Sequence, residues 1–242
     1  AASDVYKRQD RTLGALRAAW EGQPDLPLGT LFGMLAAEGY GWGVSDEDLT
    51  ARLEAMAEVH PPLIPLSESS LIAHGRWLAV TTTHRVTLAA KEGESHVVVR
   101  PVSKDGQRGQ PVAWSASALR PVGPGRPLVL ADGEGFEHRY GVVESVTRLR
   151  EDDRSLSGLT RRSVGDRVWF IRTEEESIIL DHGLHVTERK NRELIRTDYA
   201  WHHIEQCEPG SPFTVHLSRG TQHAFGAVVE VIPVEAEPWP PH

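Results

Sequence analysis

The chain has 242 residues, of which 39% are hydrophobic and 25% charged, and its formal net charge is −8. A chain of this length and composition can bury a core without a disulfide or a structural metal. No apolar run reaches the roughly 18 residues of a membrane span, and the acidic balance disfavours binding to a phosphate backbone. We therefore expect a protein that binds neither a membrane nor nucleic acid.

The first residues, AASDVYKRQ, lack the apolar stretch of a signal peptide. The string SDVYKRQ resembles the translation of a sequencing adaptor, so we interpret residues 1–9 as a non-native extension and leave them out of the fold prediction. The single cysteine, Cys207, cannot form an internal disulfide, which favours a reducing, cytoplasmic compartment. The excess of arginine over lysine is typical of a bacterial source with a GC-rich genome.

Residues 10–66 predict a small helical module. Leu13, Leu16 and Trp20 recur at helical spacing, which places them on one apolar face of a predicted first helix. Prolines in the segment GQPDLP then end that helix. A second apolar stripe consists of Leu28, Leu31, Phe32 and Leu35.

The third helix has the clearest start in the chain. Ser45 followed by Asp48 is typical of a capping box, and the acidic residues that follow Ser45 suit the positive end of a helix dipole. The predicted buried face consists of Leu49, Leu53 and Met56. The prolines of the segment HPP, residues 60–62, end the helix.

The helical pattern resembles a known module. The segments LRAAWEGQPDLPLGTLFGMLA and SDEDLTARLEAM, within residues 13–56, are similar to a short helical module of uncharacterised bacterial proteins. In that module a tryptophan precedes Pro-Asp-Leu and Leu-Gly-x-Leu, and an acidic-capped helix follows. The resemblance implies no activity and no catalytic residues.

Short runs of β-branched and aromatic residues follow, separated by glycine-rich turns. They divide into two β-rich regions, residues 67–149 and residues 150–236, and a proline-rich tail, residues 237–242. In the second region the polar stretch 150–163 predicts an exposed loop or linker, and the segment 196–210 is compatible with a helix or a strand.

The predicted fold class is α+β: a small N-terminal helical unit followed by a β-rich region of short antiparallel strands. A glycine, a polar residue and an apolar run occur together at 125–130 and again at 165–170. This similarity is compatible with two SH3-like barrels in tandem. A glycine before a strand is, however, common in any β protein.

The segment AWHHIEQCEPG, residues 200–210, raises the question of a metal site. If it is helical, His203 and Cys207 share one face, and His182 and His185 of the segment DHGLH could complete a tetrahedral set. The alternative is a structural segment in which Cys207 is a small buried apolar residue. We favour that alternative and predict no metal and no cofactor.

Sequence motifs for catalysis are incomplete. Glu205 and Glu208 disfavour a reactive thiolate at Cys207, and the chain has no G-x-S-x-G elbow and no P-loop. The glycines of ADGEG lack the third glycine of a dinucleotide site, so this segment predicts a hairpin turn. No catalytic residue is therefore assigned.

Three functions are compatible with these patterns. The first is a bacterial cytoplasmic binding or regulatory protein without catalytic activity, with another protein as its partner. Trp169, Tyr199 and Trp201 are candidates for such an interface, but we favour their placement in the core on strand faces. The second is a metal-dependent hydrolase that uses a His, Cys and Asp cluster. The third is a winged-helix nucleic-acid-binding regulator, which the three carboxylates at residues 46–48 disfavour. We favour the first, without a prediction of the oligomeric state.

Overall fold

Three α-helices open the chain and two curled antiparallel sheets follow them in the computed structural model. The predicted α+β class with a β-rich region is confirmed. The structure describes residues 2–91, 93–109, 111–150, 155–165, 167–190, 193–218 and 220–235. These residues fall into two units, one that ends at Arg150 and one that begins at Ser155. The predicted tail, residues 237–242, lies outside the described residues.

The helices are α1 (Ala2–Glu21), α2 (Leu28–Ala37) and α3 (Asp46–Val59). The predicted start of α3 is confirmed, since the Ser45 hydroxyl accepts a hydrogen bond of 3.1 Å from the backbone N–H of Asp48. Helix α1 begins at Ala2 and so includes residues that the fold prediction left out. None of the described helices is long and apolar enough to cross a membrane.

Of the three residues on the apolar face predicted for α1, Leu16 is half-buried and packs against the helical core, whereas the other two are exposed. Leu13 is 63% exposed and Trp20 is 42% exposed, whereas Ala15 and Ala19 are buried. Small side chains let α1 approach α3 closely, and the hydroxyls of Thr12 and Thr50 form a hydrogen bond of 2.8 Å between these helices. Leucines predicted on α2 and α3 do reach the common core, which contains Ala15, Ala19, Leu31, Leu35, Leu53 and Met56.

The first sheet has seven strands in the order β4-β3-β2-β1-β7-β6-β5. Their bounds are β1 (Arg76–Thr81), β2 (His84–Lys91), β3 (Glu94–Pro101), β4 (Val112–Ala116), β5 (Ala118–Leu119), β6 (Pro127–Ala131) and β7 (Glu137–Leu149). Strands β4 and β5 lie at opposite ends of this order, yet only Ser117 separates them along the chain. Because one extended segment joins both ends, the sheet curls back on itself.

The second sheet has seven strands in the order β11-β10-β9-β8-β14-β13-β12. Their bounds are β8 (Val168–Thr173), β9 (Glu176–Leu180), β10 (Leu184–Lys190), β11 (Glu193–Tyr199), β12 (Trp201–Gln206), β13 (Pro212–Leu217) and β14 (Gln222–Glu235). Each strand occupies the position of the strand seven places earlier in the first sheet. The two sheets therefore repeat one topology in tandem.

The repeat is also visible in hydrogen bonds. The N–H of Gly125 donates to the carbonyl of Val143 at 2.8 Å, and the N–H of Gly210 donates to the carbonyl of Val228 at 2.8 Å. The correspondence inferred from Gly125 and Gly165 is therefore wrong, because Gly165 precedes β8, the counterpart of β1. A glycine precedes many strands, so the two similar segments do not lie at equivalent positions of the repeat.

One turn shows the repeat in detail. In the β1–β2 hairpin the hydroxyl of Thr81 accepts from the N–H of His84 at 3.0 Å, and in the β8–β9 hairpin the hydroxyl of Thr173 accepts from the N–H of Glu176 at 2.8 Å. In each case the threonine hydroxyl also lies 3.3 Å from the carbonyl oxygen of that same partner residue. The same residue type therefore stabilises both hairpins.

Two uncertain segments of the second region can now be placed. The segment 196–210, compatible with helix or strand, contains the end of β11 and all of β12. Within the predicted loop 150–163, residues 151–154 lie outside the described residues, but Leu156 is buried and belongs to the core of the second sheet. Part of this stretch is thus structural rather than exposed.

Candidate ligand-binding cleft

A cleft of about 770 Å³ opens at one end of the first sheet. Its volume lies in the range of roughly 300–1,000 Å³ that small-molecule sites occupy. The lining residues are His84, Val99, Pro101, Val112, Trp114, Ser115, Asp132, Gly133, Glu134, His138 and Tyr140. All of them belong to the first unit, so the geometry of one sheet defines the cleft.

The curl of the sheet brings these residues together. His84 begins β2, Pro101 ends β3 and Val112 begins β4, so these strands contribute their ends to the same rim. The turn between β6 and β7 completes the rim with the residues that follow Ala131. The mouth of a curled β-sheet is a frequent place for a ligand because strand ends and loops converge there.

Aromatic rings form two walls of the cleft. The rings of Trp114 and His138 lie 5.0 Å apart, and the rings of His84 and Tyr140 lie 5.2 Å apart in an edge-to-face arrangement. Burial raises the pKa of the Tyr140 hydroxyl, although a hydrogen bond with Trp114 partly opposes this shift. Tyr140 is therefore neutral at physiological pH and presents an uncharged ring to the cleft.

Asp132 supplies a fixed carboxylate at the rim. One of its oxygens, Oδ1, accepts hydrogen bonds from the N–H of Glu134 at 2.9 Å and of Phe136 at 3.0 Å. The other oxygen, Oδ2, lies 2.8 Å from Nε2 of His138. The hydrogen bond with His138 holds the pKa of Asp132 below its ordinary value, and the two backbone donors act in the same direction. Asp132 is therefore a carboxylate at neutral pH.

The second sheet repeats only part of this arrangement. Tyr199 and His223 stand in the places of Trp114 and His138, with their rings 5.8 Å apart. The place of Asp132, however, belongs to Leu217, which likewise begins the turn between β13 and β14. The aromatic–histidine pair is thus common to both sheets, whereas the carboxylate at this turn is specific to the first.

A second difference lies at the first residue of β2 in the first sheet and of β9 in the second sheet. Glu176 takes the place of His84, and its carboxylate accepts hydrogen bonds from the Thr173 hydroxyl and, at 3.2 Å, from the N–H of Gly226. These two hydrogen bonds hold the Glu176 side chain against residues of its own sheet. His84 instead lines the open cleft of the first sheet.

The residues weighed as metal ligands are not brought together. His185 lies between the carboxylates of Asp181 at 3.3 Å and Asp198 at 2.7 Å, and His182 is exposed. The ring of His203 lies on the ring of His216, 5.1 Å between centroids, on β12 and β13. In the part of the chain that the structure describes, no three His, Cys, Asp or Glu residues are placed to hold a metal ion.

Cys207 packs as a buried apolar residue. It is 2% exposed and belongs to the core of the second sheet, and its backbone N–H donates to the Ser157 hydroxyl at 3.0 Å. Burial raises the pKa of the thiol to about 12, with a smaller contribution from the nearby charge of Glu208. Val122, its counterpart in the first sheet, is also fully buried, which supports a structural role at this position.

We expect the Cys207 thiol to resist alkylation while the protein is folded. Because its pKa lies far above neutral pH, almost none of it is the reactive thiolate, and burial blocks the reagent. Iodoacetamide labelling followed by mass spectrometry should show modification in denaturant and almost none in native buffer. Labelling of the native protein as fast as that of a free cysteine would contradict the burial of this side chain.

The cleft was not identified from the sequence, although two signals pointed to it. The pattern histidine, any residue, aromatic, glycine occurs at 138–141 and again at 223–226, and Pro-Gly-x-Pro occurs at 124–127 and 209–212. In the structure these patterns occupy equivalent places in the two sheets, and Asp132 is one of the acidic residues without an acidic counterpart. The turn predicted from ADGEG is confirmed, since Gly135 N–H donates to the carbonyl of Asp132 at 3.1 Å.

No protein-family model matches the chain, and no curated protein matches it in sequence.

Proposed function

We propose that this chain is a binding protein that holds a small ligand in the cleft of the first sheet. The observation that carries the proposal is a cleft of about 770 Å³ with aromatic and apolar walls and a few polar groups at one side of its rim. This combination is typical of sites in which apolar contacts supply affinity and a few polar groups orient the ligand. A bacterial cytoplasmic setting, a protein partner and the absence of catalysis stay predictions.

Comparison of the two sheets supports the choice of site. Residues that stabilise the turns occur in both sheets, as Thr81 and Thr173 do. The rim residues His84 and Asp132 are replaced by Glu176 and Leu217 in the second sheet, whose strand order is the same. Because the same topology forms without them, the fold alone does not require these two rim residues.

A fragment screen by ¹⁵N–¹H NMR on the full chain tests this function. We expect binding fragments to shift the amide signals of rim residues, among them Trp114, Gly133 and Tyr140. The variant Val112→Arg should abolish these shifts, because Val112 is 61% exposed at the start of β4 and a longer side chain there would fill the opening.

The repeat provides a matched control. Thr197 pairs with Val186 on β10 as Val112 pairs with Val99 on β3, so Thr197→Arg makes the same change of charge and size at the equivalent position of the second sheet. This variant should leave fragment binding unchanged. Fragments that bind equally well to the protein and to Val112→Arg, or that shift only signals outside the rim, would show that the cleft is not the site.

A further inference from the structure

We propose that the cleft selects a small organic cation, an amine carried on an apolar or aromatic body; this inference rests on the proposed binding function. Among the described residues that line the cleft, two carry carboxylates, Asp132 and Glu134, and none is a lysine or arginine. The other ionisable residues in this described part of the lining are His84, His138 and Tyr140. The rim therefore favours a positive group over a negative one.

The two carboxylates are placed to receive such a group. Asp132 is held by two backbone donors and by His138, so it needs no rearrangement to present its negative charge. Glu134 follows on the same turn, is exposed, and its carboxylate makes no hydrogen bond or ion pair with the described residues. One carboxylate is thus preorganised and the other is free to move toward a ligand.

The aromatic walls suit the same ligand. A cation within about 6 Å of an aromatic ring face is attracted by the ring quadrupole, most strongly for tryptophan and next for tyrosine. Trp114 and Tyr140 both line the cleft, and Trp114 is in ring contact with His138, the partner of Asp132. Carboxylate and aromatic ring thus lie on the same side of the cleft, where an ammonium group could contact both.

The second sheet shows that the carboxylate is not needed to form the turn. The N–H of Asp132 donates to the carbonyl of Phe136 at 3.0 Å, and the N–H of Leu217 donates to the carbonyl of Thr221 at 2.9 Å. The turn after β13 therefore closes as the turn after β6 does, with leucine in place of aspartate. Formation of this turn therefore does not depend on the charge of Asp132. Binding of a cationic ligand would be a function for that charge.

Three probes of nearly equal size test the proposal on the full chain: phenethylamine, 2-phenylethanol and phenylacetate. We expect the amine to bind about tenfold more tightly than the alcohol, because one exposed ion pair and one cation–π contact together contribute about that factor in affinity. We expect phenylacetate to bind most weakly. Dissociation constants come from NMR titration of the Gly133 and Glu134 amides. Equal binding of amine and alcohol, or tightest binding of phenylacetate, would overturn the proposal.

Variants connect the preference to the rim. Glu134→Gln should reduce the affinity for phenethylamine several-fold and leave 2-phenylethanol unchanged, and Asp132→Asn should do so more strongly. Glu175→Gln, at an exposed residue of the β8–β9 hairpin, changes the net charge equally and should have no effect. Binding of the alcohol with no preference for the amine would reject the cation and keep the binding function, whereas no shift at the rim with any probe or fragment would reject both.

Discussion

Replacing Trp201 with alanine is expected to lower the free energy of unfolding of the second unit by about 3–5 kcal/mol, the usual cost of removing a buried tryptophan side chain. Trp201 is fully buried in the core of the second sheet, and its indole N–H donates to the carbonyl of Asp181 at 3.0 Å. The variant therefore loses apolar contacts and leaves a carbonyl without its donor. Urea denaturation, with hydrogen exchange of strands β8–β14, measures the effect.

The first sheet makes this experiment interpretable. Ala116 occupies the equivalent position of the first sheet and is also buried, so the backbone at this position accepts alanine. The loss of stability in Trp201→Ala therefore measures lost packing contacts and not backbone strain. Trp42→Ala serves as the control, because Trp42 is fully exposed and its loss should change the stability by less than about 0.5 kcal/mol. Equal stability of the two variants would contradict the placement of Trp201 in a core.

Replacing Gly22 with alanine is expected to destabilise the helical module by about 3 kcal/mol, at the upper end of the usual cost of overpacking. A Cβ atom at Gly22 would lie 1.8 Å from the carbonyl oxygen of His60 and 2.8 Å from its carbonyl carbon. Both contacts are with backbone, so no side-chain rotation relieves them. Thermal denaturation followed by circular dichroism should show a lower midpoint for Gly22→Ala than for the parent protein.

Gly14 provides the control for this substitution. It lies inside α1, and a Cβ atom there would meet no heavy atom within 4 Å outside its chain neighbours and the nearby backbone of the helix. Alanine is favoured over glycine in a helix by about 0.8–1 kcal/mol, so Gly14→Ala should raise the stability. If Gly22→Ala proved as stable as Gly14→Ala, the close approach of the end of α1 to His60 would be refuted.

Local patterns predicted much of the helical module and failed where packing geometry decided the outcome. The acidic start of α3 at Ser45 was predicted because a cap is a contact between residues close in sequence. The core contacts of α1 were predicted only in part, because apolar periodicity selects the exposed Leu13 and Trp20 together with Leu16. A close contact with α3 instead selects the small residues Ala15 and Ala19.

The sequence by itself determined the α+β class, the division into helical and β-rich parts, and the interpretation of Cys207 as a small buried residue. These follow from composition, periodicity and the chemistry of neighbours along the chain. Only the tertiary structure decided that 196–210 contains strands and not a helix, that the sheets repeat one topology, and that the cleft forms. The cleft unites the ends of β2, β3 and β4 with the turn after β6, and only the curl of the sheet brings segments so distant in sequence together.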